Sequence, residues 1–161
     1  MRLLKKRLGL FVGCGALYYL IECLFHFVTV GSFHSHWTMF ILAGLLGVFC
    51  IDTPNNLYSF ELGYGWQVII STVLCTLAEG ICGLIVNFWL GWNVWDYSNL
   101  PGTFFLGQCN IFFVFAWLII IGAIAIFYCD AYNYYICGIE PCPYYKFRGK
   151  VFLKMKEKKG N

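Results

Sequence analysis

The sequence predicts an all-α polytopic membrane protein, a bundle of four transmembrane helices with both termini in the cytoplasm. Three observations predict it. Hydrophobic residues make up 60% of the 161 residues and charged residues only 12%, against ~25% charged in a soluble domain. All 11 Lys and Arg lie at the two ends, as the positive-inside rule expects of cytoplasmic segments. Four apolar stretches, each near the ~20 residues that cross a hydrocarbon core, lie between those ends.

A basic segment, residues 1–7, carries Arg2, Lys5, Lys6 and Arg7. The first apolar stretch follows at 8–30. Residues 11–14, Phe-Val-Gly-Cys, resemble a lipoprotein cleavage box. The apolar stretch before Cys14 is too short for an export signal and continues past it, so an uncleaved helix is expected. The second stretch, 33–51, is the weakest, because its strongly apolar part begins only at Trp37; a re-entrant segment is the alternative. The third and fourth are 66–90 and 104–129. Helices are expected for all four, because lipid offers backbone groups no partner. Four crossings return the chain to its starting side.

The connections follow from turn signals. Gly31-Ser32 reads as a tight external turn. Residues 52–65 read as a cytoplasmic loop turning at Pro54-Asn55-Asn56, and 91–103 as an external loop turning at Ser98 to Gly102. Trp89, Trp92, Trp95 and Tyr97 suit an aromatic belt at the outer interface. Residues 130–161 read as a basic cytoplasmic tail with Lys146, Arg148, Lys150, Lys154, Lys156, Lys158 and Lys159, frayed from Lys154 onward. Gly9-x-x-x-Gly13 and Ala43-x-x-x-Gly47 are small-residue pairs that permit close helix contact.

Several classes are excluded or disfavoured. The basic clusters flank membrane segments, so no nucleic-acid partner is expected. Most of the nine cysteines fall in apolar runs, where they behave as small packing residues and imply no disulfide framework. Cys137 and Cys142 are half a zinc site at most, and His26, His34 and His36 give only weak spacing for a metal; no metal and no cofactor is expected. There is no phosphate-binding loop, nucleophile elbow or metalloprotease motif. An ATP-driven step would require a second chain.

Two acids need explanation. Glu22 and Glu79 interrupt apolar stretches, and an acid at a helix centre costs roughly 2.5–3.5 kcal/mol on insertion scales. From Leu8 to Tyr145 there is no Lys or Arg to neutralise them. They must be protonated, hydrogen-bonded or paired with a bound cation. Glu22 and His26 share a helix face, as do Glu79, Gly83 and Asn87. Gly83 leaves a gap that a neighbouring helix or a ligand could enter. Gln108 opens the fourth stretch. These groups are either interhelical hydrogen bonds that fix one packing or a ligand or ion site.

The block Asn87-x-Trp89-Leu90-Gly91-Trp92-Asn93-Val94-Trp95-Asp96-Tyr97-Ser98 carries a resemblance, joined by Glu22, His36-Trp37-Thr38-Met39, Gln67, Glu79 and Gly107-Gln108. Over residues 17–130 the chain resembles the CmpB-like, ABC-transporter type IV family of bacterial multi-pass membrane proteins. The resemblance implies a transporter permease of the bacterial cytoplasmic membrane. With it, the candidate substrate- or ion-binding set is Glu22, His36, Glu79, Asn87, Trp95, Asp96, Tyr97 and Gln108. Asp96 is expected to close the external loop over the bundle as a lid or rim, with Gln108 as its neighbour. Two functions are open: a permease or substrate-binding subunit for a small solute or cation, with Glu22, Glu79, Asn87 and Gln108 lining its cavity, or a non-transport membrane protein, either an intramembrane enzyme or an assembly partner. Four helices are few for a pathway, so the first calls for a homo-oligomer or a partner subunit, such as a separate ATPase.

Overall fold

The computed structural model describes residues 2–58 and 60–158, apart from the Arg2 side chain; Lys159, counted in the basic tail, lies outside them. Among the described residues four helices are long and apolar enough to cross a membrane. They are α1 (Arg2–Val30), α2 (Trp37–Leu57), α3 (Tyr64–Trp89) and α4 (Ile111–Ile136). They run alternately up and down. The start of α1, the end of α2 and the end of α4 meet at one end through Lys6, Asp52 and Asn133. This basic end holds the start of α1 and the end of α4. The α1–α2 and α3–α4 connections form the opposite, loop end.

Small residues set the α1–α2 distance. A Cβ at Gly15 would stand 2.6 Å from the Phe40 carbonyl oxygen, and one at Gly44 would stand 2.7 Å from that of Phe11. Gly9 and Gly13 instead admit the Tyr132 and Tyr128 rings of α4. The expected small-residue pairs are therefore contacts within the chain, and Gly47 packs on Cys14. The buried core runs through Leu10, Cys14, Leu46, Ile51, Cys75, Ile121 and Cys129. Much of the remaining apolar side-chain surface faces outward, as lipid-facing helices require.

Four boundaries correct the sequence reading. The second helix begins at Trp37, capped by the His36 imidazole on the Thr38 N–H at 3.4 Å. It runs past Ile51 to Leu57, long enough to span, where residues 52–65 were expected as loop. The reason lies in its wide π-type turn, Gly47–Asp52. That turn relaxes the ladder before Pro54, whose missing N–H and ring would strain a regular turn. Pro54-Asn55-Asn56 is thus the last helical turn.

The fourth helix begins at Ile111, not Phe104, and ends at Ile136, not Cys129. Residues before it form a short hairpin, β1 (Thr103–Phe104) with β2 (Cys109–Asn110). Gly102 and Gly107 take positive φ there, and the Asn110 side chain caps the helix on the Phe112 N–H. Phe104, Phe105 and Leu106 are apolar enough to read as helix, but they ride on the hairpin.

The tail is not frayed through its described part. β3 (Tyr144–Phe147) and β4 (Lys150–Lys154) form an antiparallel hairpin. Beyond it the Met155 N–H donates to Pro143 and the Lys158 N–H to the Tyr134 hydroxyl. The hairpin docks through Tyr145, which is fully buried against Phe127 and Tyr64.

Candidate functional site

The two glutamates converge from α1 and α3. Glu22 lies eight residues, ~12 Å at 1.5 Å per residue, from the end of α1 at Val30. Glu79 lies ten residues, ~15 Å, from the end of α3 at Trp89. Both therefore sit in the half of the bundle nearer the loop end. Glu22 accepts hydrogen bonds from the Ser35 hydroxyl at 2.7 Å and the Tyr18 hydroxyl at 3.4 Å. Glu79 is 4% exposed and accepts from the Trp117 indole N–H at 2.7 Å. The Tyr18 and Trp117 rings stack at 4.9 Å, nearly parallel, so the donors to the two acids form one aromatic wall.

Tyr97 completes the group from the α3–α4 connection. Burial pushes its phenol pKa far up, and the Glu79 and Glu22 carboxylates push it further; its hydroxyl engages Glu79. Its ring stacks on Phe113 at 4.5 Å. Tyr97 is thus a neutral phenol close enough to both acids to feel their charge. Cys109 lies against the same region, and burial with the Glu79 charge pushes its thiol up to about 12. It stays protonated and inert at neutral pH.

Glu22 opens onto a cleft of about 370 Å³ between the two connections at the loop end. Its walls include His26, His34, Ser35, His36, Trp92, Trp95, Tyr97 and Phe113. The His26 and His34 rings lie 5.1 Å apart. The His26 Nδ1 atom is buried without a hydrogen-bond partner. Glu79 is absent from this lining; Tyr97, which engages it, is part of the wall.

Asn87 and Gln108 are placed elsewhere. Asn87 sits in the last, π-type turn of α3. Its amide donates to the Trp95 carbonyl at 2.9 Å and to Gln108 Oε1 at 2.6 Å, and its Oδ1 accepts from the Val94 N–H at 2.7 Å. The Trp95 indole N–H returns to the Gln108 carbonyl at 3.2 Å. Gln108 fills the gap at Gly83, where a Cβ would meet its Oε1 at 2.6 Å. These groups bind one another and knot the connection to α3. They do not line the cleft with Glu22, as the sequence reading had them.

Asp96 is exposed and accepts from the Ser98 N–H at 2.8 Å and the Ser98 hydroxyl at 2.6 Å. The Ser98 hydroxyl, then its N–H, hold the Asp96 carboxyl below the usual range. This is a local Asx turn, and Gln108 is not its hydrogen-bonding neighbour. The loop closes instead through the Tyr97 N–H on the Gly107 carbonyl at 2.8 Å. The expected lid therefore reduces to a turn that aims Trp95 and Tyr97 inward. Trp89 and Trp92 remain exposed, as an interfacial belt requires.

Sequence reasoning missed a second polar group at the basic end. The Lys6 ammonium pairs with the Asp52 carboxylate at 3.0 Å, both nearly buried. Asn133 and Asn56 amides also donate to Asp52 at 2.6 and 2.9 Å. Beside it Asp130 accepts from Asn55 at 2.9 Å and the Tyr145 hydroxyl at 2.8 Å. Burial first, then the Asp130 charge, push the Tyr145 phenol far up, so it remains a donor. This network ties α1, α2, α4 and the β3–β4 hairpin together. Its only sequence signal was Asp130 and Asn133 spaced i, i+3.

No family profile, no curated protein and no solved structure matches this chain.

Proposed function

We propose that the protein is a solute-binding membrane subunit, a permease or substrate-capturing component for a small solute or cation. In this reading it lies in a bacterial cytoplasmic membrane with both termini inside, and the cleft faces out. The carrying observation is Glu22, a carboxylate on the wall of a cleft of about 370 Å³ in a chain whose 138 residues from Leu8 to Tyr145 carry no Lys or Arg. Its protein partners are two neutral hydroxyls. A bound cation or a hydrogen-bonding solute supplies what those partners do not. The resemblance to the CmpB-like family supports the same reading.

Between the cleft and the basic end lies the apolar core, with only a small apolar cavity of about 30 Å³ among Cys14, Tyr18, Leu46 and Trp117. A single chain thus captures rather than conducts, and conduction falls to a homo-oligomer or to a partner subunit such as a separate ATPase. The test is thermal stabilisation of the purified chain in lipid nanodiscs across a panel of small cations, neutral solutes and anions. A bound solute stabilises by mass action. The proposal expects at least one class to raise the melting temperature of wild type and not of Glu22→Gln. A panel with no effect, or equal effects on both proteins, would favour the non-transport reading. Reporter fusions near Phe60 and at the C-terminus should read cytoplasmic, and one near Asn99 external; an external C-terminus would sink the orientation.

A further inference from the structure

The cleft's chemistry names a narrower ligand, resting on the reading of the cleft as a solute site. We propose that it binds a protonated organic amine: a primary or secondary ammonium group attached to an apolar or aromatic body. Three features argue for each part of that molecule.

The charge comes from Glu22. It is the acid that lines the cleft, and no Lys or Arg from Leu8 to Tyr145 competes for it. The N–H requirement comes from His26. It lies four residues along α1, on the same face as Glu22, and its Nδ1 is buried and unpartnered in the cleft wall. An ammonium with at least two N–H groups donates one to the carboxylate and one to the His26 Nδ1 atom. A buried polar atom left without a partner costs free energy that this second bond removes. The apolar body comes from the aromatic lining. Phe25, Trp92, Trp95, Tyr97 and Phe113 line the cleft, and aromatic surface suits both a cation and an apolar group.

Competing ligands fit worse. An anion meets the Glu22 carboxylate with no Lys or Arg to offset it. A sugar finds hydroxyl partners in Ser35 and Asn93, but it leaves the aromatic wall without a cation and Glu22 without countercharge. A bare metal ion requires several converging donors, and among the described residues no three His, Cys, Asp or Glu side chains form such a set.

The experiment uses the full chain in nanodiscs and three probes of nearly one shape. Phenethylamine carries charge and N–H donors, its N,N,N-trimethyl derivative carries charge alone, and 2-phenylethanol carries neither charge nor an ammonium. Binding is read by quenching of tryptophan fluorescence. Phenethylamine should bind best, the trimethyl compound several-fold more weakly, and the alcohol weakest. Glu22→Gln should weaken phenethylamine about tenfold or more, the size of a charge-assisted hydrogen bond, while leaving the alcohol unchanged. His26→Leu should erase the difference between the amine and its trimethyl derivative. Trp92→Ala, at a half-exposed position, keeps the test available if Glu22→Gln fails to fold, and should weaken both cations together. The proposal is overturned if the alcohol binds as tightly as the amine, or if these variants bind the amine as wild type does. A neutral or anionic solute that binds in a Glu22- or Trp92-dependent way would overturn the amine and leave the solute site standing. Silence across the whole solute panel would overturn both.

Discussion

Replacing Lys6 by Met removes the cation of the buried pair at the basic end and keeps the stem's length. Two unit charges 3.0 Å apart attract by roughly 5 kcal/mol at an effective dielectric of ~20. Part of that attraction only repays desolvation, so the net loss is smaller than the Coulomb figure. Deleting one partner of a buried pair typically costs ~3–5 kcal/mol, because the other charge is stranded. Asp52 keeps its amide donors from Asn133 and Asn56, which places the cost near the lower limit, ~3 kcal/mol. For a chain of this length, ~2–4 °C per kcal/mol converts that into a fall of ~6–12 °C in melting temperature. The assay is thermal unfolding in nanodiscs followed by far-UV circular dichroism. Asp52→Asn should cost less, ~1 kcal/mol, because Lys6 stands near the start of α1 and its long stem can carry the ammonium to water. The double variant Lys6→Met with Asp52→Asn should be more stable than Lys6→Met alone. A Lys6→Met protein that melts with wild type, or a double variant that melts at the sum of the single losses, would refute the assignment of this pair as a coupled buried unit.

Asn87→Leu removes three hydrogen bonds of the α3–α4 knot; amide exchange across residues 92–98 should accelerate at least tenfold, equivalent to ~1.4 kcal/mol, with the α1–α2 contact unchanged. Gly44→Val forces a side chain against the Phe11 carbonyl and should destabilise by ~1–3 kcal/mol or more; equal melting temperatures would show that the two helices can part freely. The Lys146 ammonium and then the Tyr144 hydroxyl hold the Glu61 carboxyl below its ordinary value, and Glu61 raises that of Lys146. The Glu61 contribution is thus complete above ~4.3 and lost as pH falls through the lowered value, and the Lys146 contribution is complete below ~10.4 and lost as pH rises through the raised one. Exchange protection of β3–β4, corrected for intrinsic rates, should be flat from pH ~5 to neutral and fall in stronger acid, and Glu61→Gln should abolish the acid step.

The charge partition made the four helices legible, because lipid leaves few other arrangements for such a chain. Glu22 and Glu79 were legible for the same reason: an acid in an apolar helix demands a partner. What the partners are was not legible. The Tyr18–Trp117 wall and Tyr97 are aromatic, and in such a sequence aromatic residues read as bulk or belt. Lys6 was hidden by its neighbours, since within Lys5-Lys6-Arg7 it reads as one more topology charge. Asp52 looked like a loop residue because Pro54 followed it, and only the wide turn at Gly47–Asp52 keeps that stretch helical. The start of α4 was misplaced because Phe104, Phe105 and Leu106 have the hydropathy of a spanning helix; Asn110 as a cap and the glycines at 102 and 107 were the signal against it. The β3–β4 hairpin was masked by its lysines, although Arg148-Gly149 at positive φ forms its turn. Asp96 was singled out through the resemblance, yet within the same block it is Tyr97 that reaches the acids.

The most direct test of the cleft as a solute site is diffraction from the wild-type protein crystallised in lipid with a solute that stabilises it. The account predicts new density against the Glu22 carboxylate and the Trp92 and Trp95 rings, with the Asn87–Gln108 knot unchanged. Density for the solute at the basic end, or a cleft filled only by water while the solute lies on the lipid-facing surface, would contradict it.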